Sequence, residues 1–234
     1  MNVVEIIQDI REAGHMTGRT GKRIETHSLS TRRNIEVISE IMRVEKPAKT
    51  LEIGLALGAS ALTITSAHRN LGPAGIRMHY AIDPFQDTVW DGCGELNVDL
   101  AGLSEYMKTL NKFSASALPQ MIDEGLSFDF IYIDGSHLFE DVFVDIYFSA
   151  RVMTKGGLML LDDCSDAHVR KAIGFVQKNM AHTLQEIDLS PFQHRSRLDK
   201  IKHKIAKKLG RTQLRAFRSI GDPVRPWNAP LKPF

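Results

Sequence analysis

Residues 128–164, FDFIYIDGSHLFEDVFVDIYFSARVMTKGGLMLLDDC, decide the fold. Two apolar runs end on carboxylates: Asp134 closes the first, and Asp162 with Asp163 closes the second. The segment between them, about 138–153, reads as a helix, which makes the stretch one strand-helix-strand unit. In an open parallel α/β sheet the ligand crevice lies outside the carboxyl ends of the strands, so acids placed there face whatever the protein binds. His137 follows Asp134 by three residues and stands at the mouth of the helix. Oxygen ligands beside a base that titrates near neutrality are the parts of a metal-and-base constellation.

Outward from this unit the same alternation continues. Apolar runs of four to eight residues (TLEIG, IRMHYAIDP, YMKTLN, FDFIYIDG, GGLMLLDD) alternate with helical segments from residue 49 onward. That rhythm predicts a Rossmann-like, doubly wound α/β fold, with a mostly parallel sheet covered on both faces. Two later strand-like runs, HTLQEIDLS and TQLRAFRSI, fit an antiparallel C-terminal edge. Ahead of the sheet, residues 1–13 and 31–44 read as amphipathic helices joined by a Gly-, Thr- and Arg-rich loop over 14–23. They suit a lid or substrate cover. The expected organisation is one domain over 1–234: a helical cover over 1–46, a ligand-binding core over 47–190, and a basic helix, last strand and Pro-rich tail over 191–234.

With 234 residues, 43% hydrophobic and 25% charged, the chain is long enough for one large core. No apolar run approaches the roughly 20 residues that cross a bilayer, and the N-terminus lacks the basic start and apolar core of a signal peptide. Cys93 and Cys164 have no CxxC spacing, which argues against a zinc site or a disulfide scaffold. A reduced, cytoplasmic protein is the expectation. The net charge of +2 is uneven: ten Lys or Arg against Asp199 alone lie between His194 and Arg218. Such a block is either a solvated helix face or a grip for anions.

The first strand turns into its helix through LEIGLALGAS, which holds Glu52, Gly54, Gly58 and Ser60. Glycines there permit a tight turn and close backbone approach to a ligand. Ala56 breaks the G-x-G-x-x-G dinucleotide pattern, and the loop has no Lys followed by Ser or Thr, which excludes a P-loop. Glu52 suits a cationic ligand better than a pyrophosphate. Asp83 ends the second strand, where a carboxylate can take both hydroxyls of a ribose. In the E-x-G-x-x-x-G-x-S form, the Asp closing the second strand, and D-x-x-H followed by D-D, the chain resembles the class I S-adenosylmethionine-dependent O-methyltransferases. It is similar to the metal-dependent catechol type, and closer to the macrolide-sugar type.

That resemblance implies an S-adenosylmethionine pocket shaped by Glu52, Gly54 and Gly58. Ser60 would hold the methionine carboxylate, Asp83 the ribose, and Ser114 would lie beside the adenine. It also implies Asp134, Asp162 and Asp163 as metal ligands. Asp163 and His137 depart from the catechol pattern and agree with the sugar-modifying one. By donor type alone three carboxylates suit Mg²⁺, with Ca²⁺ or Mn²⁺ as alternatives, although strand-end Asp residues also serve as helix caps. Asp134 and His137 are the catalytic candidates. A divalent ion anchors the acceptor hydroxyl and lowers its pKa, and His137 takes the proton. The expected reaction is methyl transfer from S-adenosylmethionine to a small-molecule hydroxyl, a sugar or natural product before a catechol, leaving S-adenosylhomocysteine. A homodimer is compatible with the N-terminal apolar stripe, and no membrane or nucleic-acid partner is expected. The rival readings are an RNA methyltransferase using the basic 194–218 segment and a non-catalytic S-adenosylmethionine-binding module.

Overall fold

A computed structural model describes residues 2–193 and 212–234. Residues 194–211, most of the basic 194–218 segment, lie outside the described residues. The chain forms two compact units, Met1–Ala117 and Leu118–Phe234.

In the first unit α1 (Val3–Ala13) begins at Asn2, whose side chain accepts from Val4 N–H while Glu5 reaches back to the Asn2 N–H. This capping box starts the helix where sequence periodicity places it. Val3, Ile6, Ile7 and Ile10 are buried against Leu55, Leu62, Val98 and Leu103. Each such side chain contributes about 1.5–3 kcal/mol before entropy is counted. The 14–23 loop is a hairpin, β1 (His15–Thr17) pairing antiparallel with β2 (Arg23–Glu25). The first strand-helix-strand unit follows α2 (Arg32–Glu45), which Thr31 caps. It runs through β3 (Lys49–Ile53), α3 (Ala59–Leu71) and β4 (Met78–Ile82), then α4 (Cys93–Leu100) and β5 (Met107–Leu110). Here the strand order is β5-β4-β3, all parallel. The next helix, α5 (Ser114–Asp123), begins at the end of this unit.

In the second unit β6 (Phe128–Ile133) and β7 (Met153–Leu161) are parallel and joined by α6 (Phe139–Val152). Their residues 130–133 and 158–161 are buried without alternation, as a sheet covered on both faces requires. After α7 (Ala167–Asn179) come β8 (Leu184–Ile187) and β9 (Arg215–Ser219). The order is β6-β7-β9-β8, with β9 antiparallel to both neighbours. The seven strands other than the hairpin make a mixed, mostly parallel sheet of the Rossmann-like α/β class with the expected antiparallel C-terminal edge. The tail has no regular structure, yet it is anchored: Lys232 and Asn179 exchange two hydrogen bonds of 2.8 and 3.0 Å, and Phe234 packs edge-on against Phe175.

Candidate functional site

The loop between β3 and α3 is built around Asp83. This carboxylate is buried at the end of β4. Its Oδ2 accepts from Leu55 N–H at 3.1 Å, Ala56 N–H at 2.8 Å and the Gln86 side-chain amide at 3.1 Å, and its Oδ1 accepts from Phe85 N–H at 2.9 Å. Gly54, Ala56 and Gly58 all have positive φ. At Gly58 the need for glycine is also steric, since a Cβ there would sit 2.8 Å from the Gly94 carbonyl oxygen. Ser60 is buried in the first turn of α3, where unpaired backbone N–H groups favour an anion. Ser114 is half-buried and opens α5. Just before it, Phe113 meets Phe85 edge-on at 5.8 Å. Trp90, in contrast, packs with Ile24, Leu57 and Cys93.

Glu52 sits differently from its loop neighbours. Its fully buried carboxylate lies 3.2 Å from His79 Nε2. His79 Nδ1 and His68 Nε2 each stand 2.9 Å from the Thr50 hydroxyl, so Glu52 ends a buried polar chain linking β3, β4 and α3.

At the strand ends of the second unit, Asp134, His137 and Asp163 each offer a ligand atom within 4.8 Å of the others. His137 Nε2 is 2.8 Å from Asp163 Oδ2. Asp162 is beside this group and engaged elsewhere. Its Oδ2 accepts from the Tyr132 hydroxyl at 2.6 Å, and its Oδ1 from Asp163 N–H at 2.7 Å and Gln213 Nε2 at 2.9 Å. Gln213 also donates to Asp163. The same Tyr132 hydroxyl stands 2.9 Å from Asp134 Oδ2. Burial, reinforced by the Asp163 charge, raises the Asp162 pKa against the opposing hydrogen bonds. Burial first, and then the charges of Asp134 and Asp162, push the Tyr132 phenol well above its usual range. With one proton between two carboxylates, the hydroxyl ties the ends of β6 and β7 together. A small, partly open cleft is lined by Asp134, His137, Asp162 and Asp163 together with Val142 and Val169.

Nearby, Phe139 N–H donates to His168 Nδ1 at 3.3 Å, and Asp166 caps α7 through His168 N–H. His168 thus serves helix ends. Gln86, Tyr132 and Gln213 are the residues that sequence reasoning missed. Tyr132 had a local signal, since residues two apart on a strand share a face with the strand-end acid.

A Rossmann-like sheet with a glycine turn after its first strand and acids at later strand ends places its ligand crevice at those strand ends. Residues 51–164 match the family model of the methyltransferase domain. No curated protein sequence matches the chain. Solved structures match it across almost its whole length at low identity. Cofactor-bound Rv0187 from MTB is 13% identical at a TM-score of 0.65, with 94% of this chain and 90% of that one covered. An O-methyltransferase from Bacillus cereus in complex with SAH is 12% identical at 0.63, with the same coverage. The O-methyltransferase TomG from Streptomyces achromogenes, involved in tomaymycin synthesis and solved with SAM, is 14% identical at 0.63, again covering 94% and 90%. At such identities the likeness is one of fold. Residues 51–164 are thus similar to a methyltransferase domain, and the fold is one that solved O-methyltransferases share.

Proposed function

We propose that the protein, read as a single methyltransferase domain, moves the methyl group of S-adenosylmethionine to a hydroxyl oxygen of a small molecule, a sugar or natural-product polyol before a catechol. The observation that carries this reading is the grouping of Asp134, His137 and Asp163 within 4.8 Å at the strand ends. Similar folds in proteins named as O-methyltransferases support the choice of oxygen. On the cofactor side, the buried Asp83 and the first turn of α3 with Ser60 suit a ribose and a carboxylate. Gly54 and Gly58 allow close backbone approach, Phe85 and Ser114 suit the adenine end, and Glu52 acts from beneath the loop.

The donor set fits a divalent cation, with Asp134 and Asp163 as the carboxylate ligands beside Asp162, and Mg²⁺ as the ion that oxygen donors favour. Bound there, the ion would supply Lewis acidity to an acceptor hydroxyl. His137 is the proton acceptor: with Nε2–H donated to Asp163, the lone pair remains on Nδ1 of a half-exposed ring. The 2.8 Å His137–Asp163 contact also favours a second reading, in which this pair serves as general base without a metal. A cytoplasmic location and a homodimer complete the proposal. Among the described residues no helix is long and apolar enough to cross a membrane.

Calorimetric titration of S-adenosylmethionine, followed by a transfer assay on polyhydroxylated acceptors with Mg²⁺ and after chelation, tests these statements. Micromolar cofactor binding is expected, together with a rate that falls about 10²- to 10⁴-fold in His137→Ala while cofactor affinity holds. Full activity after chelation selects the metal-free dyad. An unchanged rate in both His137→Ala and Asp134→Asn would sink the mechanism.

A further inference from the structure

We infer that Gln86 is a positioning residue for the cofactor, fixing both the glycine loop and the one Asp83 oxygen left to receive the ribose. The inference rests on the S-adenosylmethionine reading above. Gln86 is fully buried in the segment after β4. Its Nε2 donates to the Ala56 carbonyl at 2.9 Å and to Asp83 Oδ2 at 3.1 Å, and its Oε1 accepts from Gly94 N–H at 3.2 Å. Both amide protons are therefore directed, and the orientation is unique: a flipped amide would set its oxygen against two acceptors and its nitrogen against a donor.

The surroundings leave no room for slack. A Cβ on Gly94 would meet the Ala56 carbonyl oxygen at 2.7 Å and Leu55 Cγ at 2.6 Å. The loop and the start of α4 thus touch backbone to backbone, with Gln86 bridging them. Asn97 of α4 adds an independent tie, its Nδ2 donating to the Leu57 carbonyl at 2.8 Å. Side-chain amides from one segment hold two consecutive loop carbonyls, while Asp83 holds the loop's N–H groups.

This bonding divides the Asp83 carboxylate. Two carboxylate oxygens offer about four acceptor positions in all. Oδ2 is filled by its three donors, whereas Oδ1 accepts from Phe85 N–H and keeps an acceptor position. A ribose can take one strong hydrogen bond there, at Oδ1, in place of the pair of hydroxyls bridging both oxygens that strand-end position alone suggests. Gln86 keeps Oδ2 committed to the loop and so leaves Oδ1 as the oxygen for the ribose.

The test is calorimetry of S-adenosylhomocysteine and of its 2′,3′-dideoxyribose counterpart, at a temperature far below unfolding, with wild type, Gln86→Met and Gln86→Asn. Gln86→Met keeps the shape and loses the donors. It is expected to weaken S-adenosylhomocysteine about 10- to 100-fold, the range for hydrogen bonds to a charged group. The affinity ratio between the two ligands should shrink with it, because the ribose oxygen is what Asp83 loses. Gln86→Asn, one methylene short, keeps donors and guards against a variant that does not fold; an intermediate loss is expected. Variants that melt earlier but bind both ligands as wild type does overturn the inference and leave the cofactor reading intact. A wild type that binds neither ligand removes both.

Discussion

Ala56 holds the strained backbone position of the loop between β3 and α3. It has φ 44 in the loop, at the place where a G-x-G pattern has its second glycine. An L-residue in that region costs about 1–2 kcal/mol, and the hydrogen bonds at its N–H and carbonyl hold it there. Ala56→Gly relieves this strain and adds about 0.5–1 kcal/mol of unfolded-chain entropy, so a net gain of up to about 1 kcal/mol is expected. Thermal unfolding would show a Tm rise of about 2–4 °C; a clear fall would mean the methyl group is packed usefully. The positions of Asp83, Asp134, Asp162 and Asp163 just past strands, with His137 following Asp134, were legible from the apolar runs that precede them. Gln86 and Gln213 were not legible. Gln86 reaches the Ala56 carbonyl across 30 residues of sequence and Gln213 reaches Asp162 across 51, pairings that no local pattern carries.

At the scale of elements, helices α1, α2, α6 and α7 lie where apolar periodicity and caps put them. The β1–β2 hairpin was invisible, because three-residue strands are too short to show a period of two. One carboxylate gathers several of the hydrogen bonds at its tip. Asp91 Oδ2 accepts from the Thr20 N–H and hydroxyl, both at 3.0 Å, and from Lys22 N–H at 3.3 Å. Burial alone would raise the Asp91 pKa, but the Thr20 and Lys22 hydrogen bonds together bring it below the ordinary value. A depressed carboxyl stabilises the folded form above its unfolded pKa of about 3.9 and loses that contribution as pH falls through the folded value. The hairpin tip is therefore expected to be firm at pH 6 and to loosen below about pH 4. Hydrogen-exchange protection factors at the Thr20 and Lys22 amides would register the change; protection left unchanged at pH 6 by Asp91→Ala would refute the anchor.

For the whole molecule, the two thiols report on global opening. Cys93 and Cys164 are both buried and free. Burial first, then the Asp91 charge, pushes the Cys93 thiol up to about 11, and burial raises Cys164 further. Against an ordinary thiol, two units leave about 100-fold less thiolate at pH 8. Neither thiol is expected to react with a thiolate-specific disulfide reagent until denaturant is added, after which both should; rapid native labelling would show that the chain opens locally. The fold class was readable from strand-helix alternation and the edge from two late strand-like runs. That β9 would lie between β7 and β8 was not, since insertion order depends on pairing partners and not on any residue's own preference.

That insertion sets a schedule for synthesis. On the ribosome β7 is complete at Leu161, but the strand that covers its outer edge ends only at Ser219, roughly 60 residues later. At about 5–20 residues per second the nascent chain carries an uncovered strand edge for about 3–12 s, the interval in which such an edge recruits unwanted partners. Three of the five β9 residues, Ala216, Phe217 and Arg218, pair in both directions, with Leu160, Met159 and Leu158 on one side and Ile187, Glu186 and Gln185 on the other. A message stalled or cut before codon 215 would therefore yield a product with two raw edges in place of one closed seam, and the cell would meet it as a substrate for chaperones.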